Sequence, residues 1–178
     1  MERCRIVFSG SGGQGVITAS FILAEAAVIF DGLEAVQSQS YGPEARGGST
    51  RSDVIISEEK INFPKIIQPN ILISLNQESY NKFAPIIRPG GILISDSHFV
   101  TTKRHIDAIQ KNLPMFETVM ENIKNPIVFN ICMLGVLIEL TEVVKKESVI
   151  KTLEKNIPKK FIDINKKALS LGINLAKE

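Results

Sequence analysis

Four glycines lie close together near the start of the chain, between a short apolar run and a long one. They are Gly10, Gly12, Gly13 and Gly15. Ile6 to Phe8 is typical of a buried strand, and Val16 to Phe30 is apolar and free of Gly and Pro, which favours a helix. Glycine adopts backbone angles closed to other residues, and the first N–H groups of a helix have no partner within it. The segment 10–15, which also holds Ser11 and Gln14, is therefore predicted to contact an anion such as phosphate.

The spacing Gly10-x-Gly12-x-x-Gly15 matches the fingerprint of dinucleotide-binding proteins. That fingerprint also requires an acid at the end of the following strand, where it binds a ribose hydroxyl. Here the following strand ends in amides and hydroxyls, and Glu34 stands at its beginning. A P-loop is excluded because no Gly-Lys-Ser/Thr follows Gly10. Two interpretations stay open, an anion or cofactor contact and a tight strand-to-helix turn packed against a neighbour.

A second segment with unusual residues follows at 40–49, SYGPEARGGS. Arg46 carries a planar, permanently charged guanidinium suited to phosphate or carboxylate, and Tyr41 offers a ring and a hydroxyl. We expect both glycine-rich segments at the carboxyl ends of early, adjacent strands, which is where open α/β sheets bind ligands. The alternative is a surface loop with an Arg46–Glu44 contact of little energetic value.

Composition excludes several classes of function. The chain has 178 residues, enough for a single domain spanning 1–178. Its net charge of +2 and its lack of Trp give no argument for nucleic-acid binding. Neither Cys4 nor Cys132 belongs to a C-x-x-C pair, and His98 and His105 have no partner at ligand spacing, so no metal site is expected on this chain.

The sequence predicts a cytoplasmic protein without a membrane span. Residues 1–5 lack the apolar stretch of a signal peptide. The longest apolar helix, Val16 to Phe30, is too short to cross a bilayer and carries Glu25.

The remaining pattern alternates strands and helices. Strands are predicted at 34–40, 51–57, 61–63, 71–75, 92–95 and 115–120, and helices at 76–83, 104–112, 127–140, 147–155 and 159–171, with Gly172 near the last stop. This order predicts an α/β fold, a three-layer α/β/α domain with a mostly parallel sheet. A hairpin turn at 58–60 predicts an antiparallel pair, which makes the sheet mixed.

Three features lie outside that pattern. The helix at 127–140, which Asn125 and Pro126 begin, is apolar on nearly every side apart from Asn130 and Gly135, and so is predicted to be buried in a layer or against another subunit. From residue 142 onward lysines outnumber acids, which favours a solvated face over docking to an acidic partner. Asp96, at the end of a strand, is predicted to cap a turn rather than bind a ligand.

Several segments together resemble the gamma subunit of 2-oxoacid:ferredoxin oxidoreductases. They are GSGGQGV at 10–16, SYGPEARGGSTRSDVIIS at 40–57, GGILISDS at 90–97, NPIVFNICMLG at 125–135 and IDINKKALSLG at 162–172. The resemblance covers essentially the whole chain. Its specificity comes from the first two motifs in this order, since neither alone is distinctive.

The resemblance implies a multi-subunit enzyme that decarboxylates a 2-oxoacid, reduces ferredoxin and forms an acyl-coenzyme A. In that family the alpha and beta subunits hold thiamine diphosphate with Mg, and iron–sulfur clusters lie on the beta subunit or on a ferredoxin-like delta subunit. This chain would then bind no cofactor alone and be inactive alone. Its partners would be the alpha and beta subunits, a delta subunit where one exists, and ferredoxin through the complex.

The resemblance also implies that the two glycine-rich segments face a subunit interface that coenzyme A must reach. Residues implied in cofactor contact are Gly10, Ser11, Gly12, Gly13, Gln14, Gly15 and Arg46. Residues implied at the interface are Tyr41, Gly42, Pro43, Glu44, Gly47, Gly48 and Arg51. Three alternatives stay open: an interface role without coenzyme contact, a free-standing dinucleotide-binding oxidoreductase, and a non-catalytic scaffold.

Overall fold

The computed structural model describes residues 3–40 and 49–177. Within them the strands are β1 Cys4–Gly10, β2 Glu34–Ser40, β3 Thr50–Ser57, β4 Ile71–Ser74, β5 Gly91–Asp96 and β6 Ala108–Leu113. The helices are α1 Val16–Ile29, α2 Gln77–Phe83, α3 Met115–Asn122, α4 Phe129–Thr141, α5 Lys146–Asn156 and α6 Lys159–Lys177. Single 3-10 turns lie at Ala84–Ile86 and Pro126–Val128. None of the described helices combines the length and the apolar character that crossing a membrane would need.

The six strands form one sheet in the order β2-β3-β1-β4-β5-β6. β1, β4, β5 and β6 are parallel neighbours, whereas β3 is antiparallel to both β1 and β2. Five strands therefore point one way and β3 points the other. The predicted α/β fold with a mostly parallel, mixed sheet is confirmed.

Helices cover both faces of the sheet, which gives the three predicted layers. Along β1, Ile6 and Phe8 join the core that includes α1, α4, α5 and α6, while Val7 joins a smaller core with α2 on the opposite face. All three side chains are fully buried. Because both faces of such a strand are covered, the strand appears as a continuous apolar run in the sequence.

The antiparallel strand arises at a different place from the one predicted. The hairpin at 58–60 is wrong, since residues 61–63 form no strand and belong to an irregular connection to β4. The antiparallel connection runs instead from β2 to β3, and Glu34 pairs with Ser57. β3 consequently lies between β1 and β2, so the expectation that the two early strands are adjacent was also wrong.

In two neighbouring segments the predicted type of secondary structure was wrong, with helix and strand exchanged. The predicted helix at 104–112 contains the edge strand β6, and the predicted strand at 115–120 lies in helix α3. β6 carries polar residues on both faces, so it lacks the apolar signature of the inner strands, and its Asn112 accepts a hydrogen bond from Ser95 Oγ at 2.8 Å. In α3 the buried residues are Met115 and Val119, whose spacing of four is helical.

Helices α4 and α6 cross with their backbones in contact. A Cβ on Gly135 would meet the carbonyl oxygen of Leu169, and a Cβ on Gly172 would meet that of Cys132. The close approach predicted for Gly135 is confirmed. The predicted stop near Gly172 is wrong, because α6 runs through this glycine to Lys177.

We expect Gly172→Ala to lower the free energy of unfolding by about 2 kcal/mol. Overpacking against a fixed backbone oxygen costs about 3 kcal/mol, and the better helix propensity of alanine returns about 1 kcal/mol. Urea unfolding of the purified chain, followed by circular dichroism, measures the difference. The matched control is Gly12→Ala, whose added Cβ would meet nothing. If both variants unfold at the same urea concentration, the helix crossing is not tight.

Candidate functional site

The glycine segment lies at the carboxyl end of β1 and begins helix α1. Gly13 has φ +90° and Gly15 has φ +71°, conformations that residues with a side chain rarely adopt. Gly15 is the N-cap of α1, and its carbonyl oxygen accepts the first helical hydrogen bond, from Ala19 N at 3.0 Å. These backbone angles turn the chain from the sheet into the helix within five residues, Ser11 to Gly15.

The side chain of Gln14 closes the inner side of this turn. Its Oε1 accepts a hydrogen bond from Ser11 N at 2.7 Å, and its Nε2 donates to the carbonyl oxygen of Leu75 at 2.9 Å. Gln14 N also donates to Ser11 O at 3.2 Å. Gln14 therefore joins the loop to the end of β4 and occupies an amide that a ligand would otherwise use.

Asn76 fixes the loop from the neighbouring strand end. Its Nδ2 donates to Ser11 Oγ, and its Oδ1 accepts from Ser79 N at 2.8 Å as the N-cap of α2. One asparagine thus caps a helix and holds the glycine loop, which aligns the carboxyl ends of β1 and β4.

The tip of the loop stays open. Gly12 and Gly13 are exposed, and a Cβ on either would meet nothing within 4 Å. Within the described residues, no acceptor bonds the amide N–H groups of Gly12 and Gly13 or those of the first turn of α1, Val16 to Thr18. The tip therefore presents N–H donors and the field of a helix N-terminus, features that favour an anion over a cation.

The strands that precede and follow the second predicted segment reach the same end of the sheet as the glycine loop. Tyr41, Gly42, Pro43, Glu44, Arg46, Gly47 and Gly48 lie outside the described residues. The strands on either side of that segment are well defined, since Ser40 pairs with Arg51 in the β2–β3 ladder and Thr50 pairs with Gly10 in the β3–β1 ladder. Thr50 therefore lies beside the start of the glycine loop, and Ser40 lies at the same end of the sheet, one strand further away.

Arg51 is engaged within the chain. Its Nε and Nη2 donate to the two carboxylate oxygens of Asp53 at 2.6 and 2.8 Å, and Nη2 also donates to Ile66 O at 3.2 Å. Its guanidinium carbon lies 5.3 Å from the centre of the Phe83 ring. Lys82, which the sequence did not single out, lies over the same ring and donates to Ser49 Oγ at 3.4 Å.

A cleft of about 400 Å³ opens on the other side of the glycine loop. It lies between that loop, the start of α4 and the junction of α5 with α6. Its lining residues are Gly13, Gly15, Thr18, Asn125, Ile127, Val128, Asn130, Ile131, Ile157, Phe161, Ile164 and Asn165. The sequence pointed to Asn130 only as an exception in an apolar helix, and gave no signal for Asn165 in an amphipathic one.

Asp96 lies at the end of β5 and is fully buried. Its Oδ1 accepts from His98 N at 2.9 Å, and its Oδ2 accepts from Phe116 N at 2.8 Å in the first turn of α3. The predicted turn cap is confirmed, and the same carboxylate also caps a helix. Burial raises the pKa of Asp96 above its ordinary value, although the hydrogen bonds from the backbone oppose that shift.

The two cysteines are unreactive thiols. Burial raises the pKa of Cys4 to about 11 and that of Cys132 to about 12, so neither ionises near neutral pH. Cys132 is fully buried in α4, where it packs as a small apolar residue. Among residues 3–40 and 49–177, no three His, Cys, Asp or Glu side chains are grouped closely enough to hold a metal ion.

Known proteins match this chain over nearly its whole length. The family model described as pyruvate ferredoxin/flavodoxin oxidoreductase matches residues 5–175. The 2-oxoglutarate synthase subunit KorC of Methanocaldococcus jannaschii is 46% identical over 99% of this chain and 95% of its own length. Subunit VorA of ketoisovalerate oxidoreductase from Methanothermobacter marburgensis is 33% identical over 98% of this chain but only 37% of its own length.

Two solved structures also match nearly the whole chain. The gamma subunit of a keto/oxoacid ferredoxin oxidoreductase from Geobacter sulfurreducens superposes with a TM-score of 0.91 at 40% identity, over 99% of this chain and 98% of that one. A 2-oxoglutarate:ferredoxin oxidoreductase from Magnetococcus marinus, with 2-oxoglutarate, coenzyme A and succinyl-CoA bound, has a TM-score of 0.90 at 24% identity. The match covers 99% of this chain and 31% of that longer chain, and it shows a shared fold.

Gln14→Leu should loosen the glycine loop without unfolding the protein. It removes the hydrogen bonds to Ser11 N and Leu75 O, and two such bonds contribute about 1–3 kcal/mol together. We expect faster hydrogen exchange at the Ser11 amide and a lower free energy of unfolding. Gln77→Leu on α2 is the control, because its side chain bonds only near the exposed surface at Asn81 and Thr101. Unchanged exchange at Ser11 would show that Gln14 does not hold the loop.

Asp96→Asn tests the buried carboxyl. Because the folded-state pKa is raised, the unfolded carboxyl ionises first, so this group lowers stability as the pH rises from below 3.8 through the folded-state pKa. The wild-type free energy of unfolding minus that of Asp96→Asn should therefore fall with rising pH over this window and then level off. Urea unfolding of both proteins across the pH series measures it. A difference that rises with pH would mean that the pKa is lowered instead.

Proposed function

Because this chain belongs to the pyruvate ferredoxin/flavodoxin oxidoreductase family and is a gamma subunit of 2-oxoacid:ferredoxin oxidoreductase, we propose that its complex acts on 2-oxoglutarate. The choice of 2-oxoglutarate as the substrate rests on the 46% identity, over nearly the full length, to a 2-oxoglutarate synthase subunit. Three further subunits of that name are 34–36% identical, whereas the pyruvate synthase subunit PorC is 29% identical.

The proposed reaction oxidatively decarboxylates 2-oxoglutarate, transfers the acyl group to coenzyme A and passes electrons to ferredoxin. Thiamine diphosphate, Mg and iron–sulfur clusters would lie on the alpha, beta and delta subunits. This distribution of cofactors is supported by the two thiols of this chain, which are set apart rather than grouped as cluster ligands, with Cys132 buried and Cys4 half-buried.

Within the complex, the glycine loop and residues 41–51 would form the part of the interface that coenzyme A reaches. The open tip at Gly12 and Gly13 supplies N–H donors for a phosphate. Arg46 supplies the cation in this proposal, because Arg51 already binds Asp53 and Ile66 O. A guanidinium beside a phosphate forms charge-assisted hydrogen bonds, which are the stronger kind.

A second candidate function is a scaffold that shapes the interface without touching the coenzyme. The observation that favours it is the closure of the loop by Gln14, which occupies Ser11 N and connects the loop to β4. In that case residues 10–15 would contact a partner subunit only.

Substrate choice is tested by producing the chain together with its partner subunits under anaerobic conditions. The purified complex is assayed for coenzyme A-dependent ferredoxin reduction with 2-oxoglutarate, pyruvate and a branched-chain 2-oxoacid. We expect kcat/KM to be highest for 2-oxoglutarate. A complex that prefers pyruvate or the branched-chain acid contradicts the proposed substrate, and a chain that co-purifies with no partner contradicts the assembly.

Arg46→Ala separates coenzyme contact from a scaffold role. Losing a charge-assisted hydrogen bond of about 1.5–3 kcal/mol should raise the KM for coenzyme A roughly tenfold or more. The KM for the 2-oxoacid should stay near normal. Arg88→Ala is the control, since Arg88 is exposed at the opposite end of the sheet, next to Gly90 and the start of β5. Loss of subunit assembly in Arg46→Ala would assign Arg46 to the interface instead.

A further inference from the structure

Strand β2 forms one edge of the sheet. It pairs with β3 through all seven of its residues, from Glu34 opposite Ser57 to Ser40 opposite Arg51, without a bulge. Within residues 3–40 and 49–177, no strand pairs with the other side of β2. The backbone of β2 on that side therefore offers a regular row of N–H and C=O groups to another strand.

The sequence of β2 lacks the features that protect edge strands in natural proteins. Protected edges are very short, bulged, or interrupted by Pro or by charges, above all by Lys. β2 is seven residues long, and Glu34 at its first position is its only charged residue. The opposite edge strand, β6, carries Lys111 within its length. We therefore expect the β2 edge to be covered by another strand in the assembled protein.

The helix that covers this edge of the sheet carries exposed apolar side chains. Helix α1 packs on β2 and β3, and its Ser20 Oγ accepts a hydrogen bond from Gln37 Nε2 on β2 at 3.4 Å. On the same helix Phe21 is 51% exposed and Val28 is 43% exposed. Their spacing of seven places both on one face of α1. The free strand edge and an apolar surface thus occur together in one part of the molecule.

We propose that a second copy of this chain pairs with β2, strand to strand and antiparallel, about a two-fold axis. A register centred on Gln37 is the one two-fold register that pairs all seven residues of the strand. Gln37 then lies opposite Gln37 of the second copy, and Val36 lies opposite Ser38. Glu34 lies opposite Ser40, so no like charges face each other, which would oppose the pairing. The strand is complementary to itself, as a two-fold interface requires.

This pairing also accounts for the apolar face of α1. Residues directly opposite in an antiparallel pair point to the same side of the sheet. Both copies therefore carry α1 on the same face, and the two helices lie on either side of the two-fold axis. Phe21 and Val28 are the exposed apolar side chains available to fill the space between them. Two six-stranded sheets become one continuous sheet of twelve strands.

A cysteine at the two-fold axis tests the register. Cα atoms of opposite residues in an antiparallel ladder are about 4.5 or 5.5 Å apart, a distance that a disulfide spans. The Gln37→Cys chain is produced with its partner subunits, and the complex is oxidised with diamide. We expect a covalent dimer of this chain on a denaturing gel without reductant, identified by mass spectrometry and reversed by dithiothreitol. If the oxidised complex contains no such dimer, the proposed pairing is wrong.

Ile109→Cys on β6 is the matched control. Ile109 is 56% exposed on the other edge strand, so its thiol would be equally accessible to the oxidant. Neither this variant nor the wild-type complex should give a covalent dimer of this chain. As much dimer from Ile109→Cys as from Gln37→Cys would show random collision of complexes and would also overturn the proposal.

A double variant keeps the test available if Gln37→Cys does not assemble. In the proposed register Val36 of each copy faces Ser38 of the other, so Val36→Cys with Ser38→Cys should give the covalent dimer. Ser38→Cys alone should not, because the two copies of residue 38 are diagonal neighbours about 7–8 Å apart, too far for a disulfide. Equal dimer from the single and the double variant contradicts the register. Since the readout is a covalent bond, it does not depend on which 2-oxoacid or coenzyme the complex uses.

Discussion

The backbone contact between α4 and α6 determines the form of the helical layer. Side chains at positions 135 and 172 would force the helices apart, because each glycine faces a carbonyl oxygen of the opposite helix. Asn130 and Asn165, which lie near the starts of these two helices, line the cleft beside the glycine loop.

A second constraint acts at the carboxyl ends of β1 and β4. Gln14 and Asn76 are short polar links between two parallel strands, and both bond Ser11. The loop is held on its inner side, while the outer amides of Gly12 and Gly13 have no acceptor among the described residues. This combination holds a glycine-rich segment in place while its outer N–H donors stay available, and a preorganised donor set loses less entropy when a ligand binds.

The sequence was informative where one physical signal dominated. Continuous apolar runs identified β1, β4 and β5, and the all-round apolar pattern identified α4, because residues covered on every side carry few polar exceptions. It failed at β6 and α3, where an edge strand is half solvated and a short helix buries only Met115 and Val119. It identified the strand at 51–57 but missed its antiparallel pairing with β1 and β2, since strand direction depends on which partner is available and leaves little trace in the strand itself. Of the site, the glycine loop was evident, but the cleft joins residues of three separate segments, 13–18, 125–131 and 157–165, whose proximity only the fold creates.

The position of β3 has a consequence for how this family of proteins can vary. Ser40 and Arg51 are paired neighbours in a ladder, so the ends of the intervening segment are joined side by side by the sheet itself. Lengthening or rewriting the residues between them would add only the small entropic cost of a longer closed loop. The residues between them can therefore change in number and type with little cost to the stability of the fold.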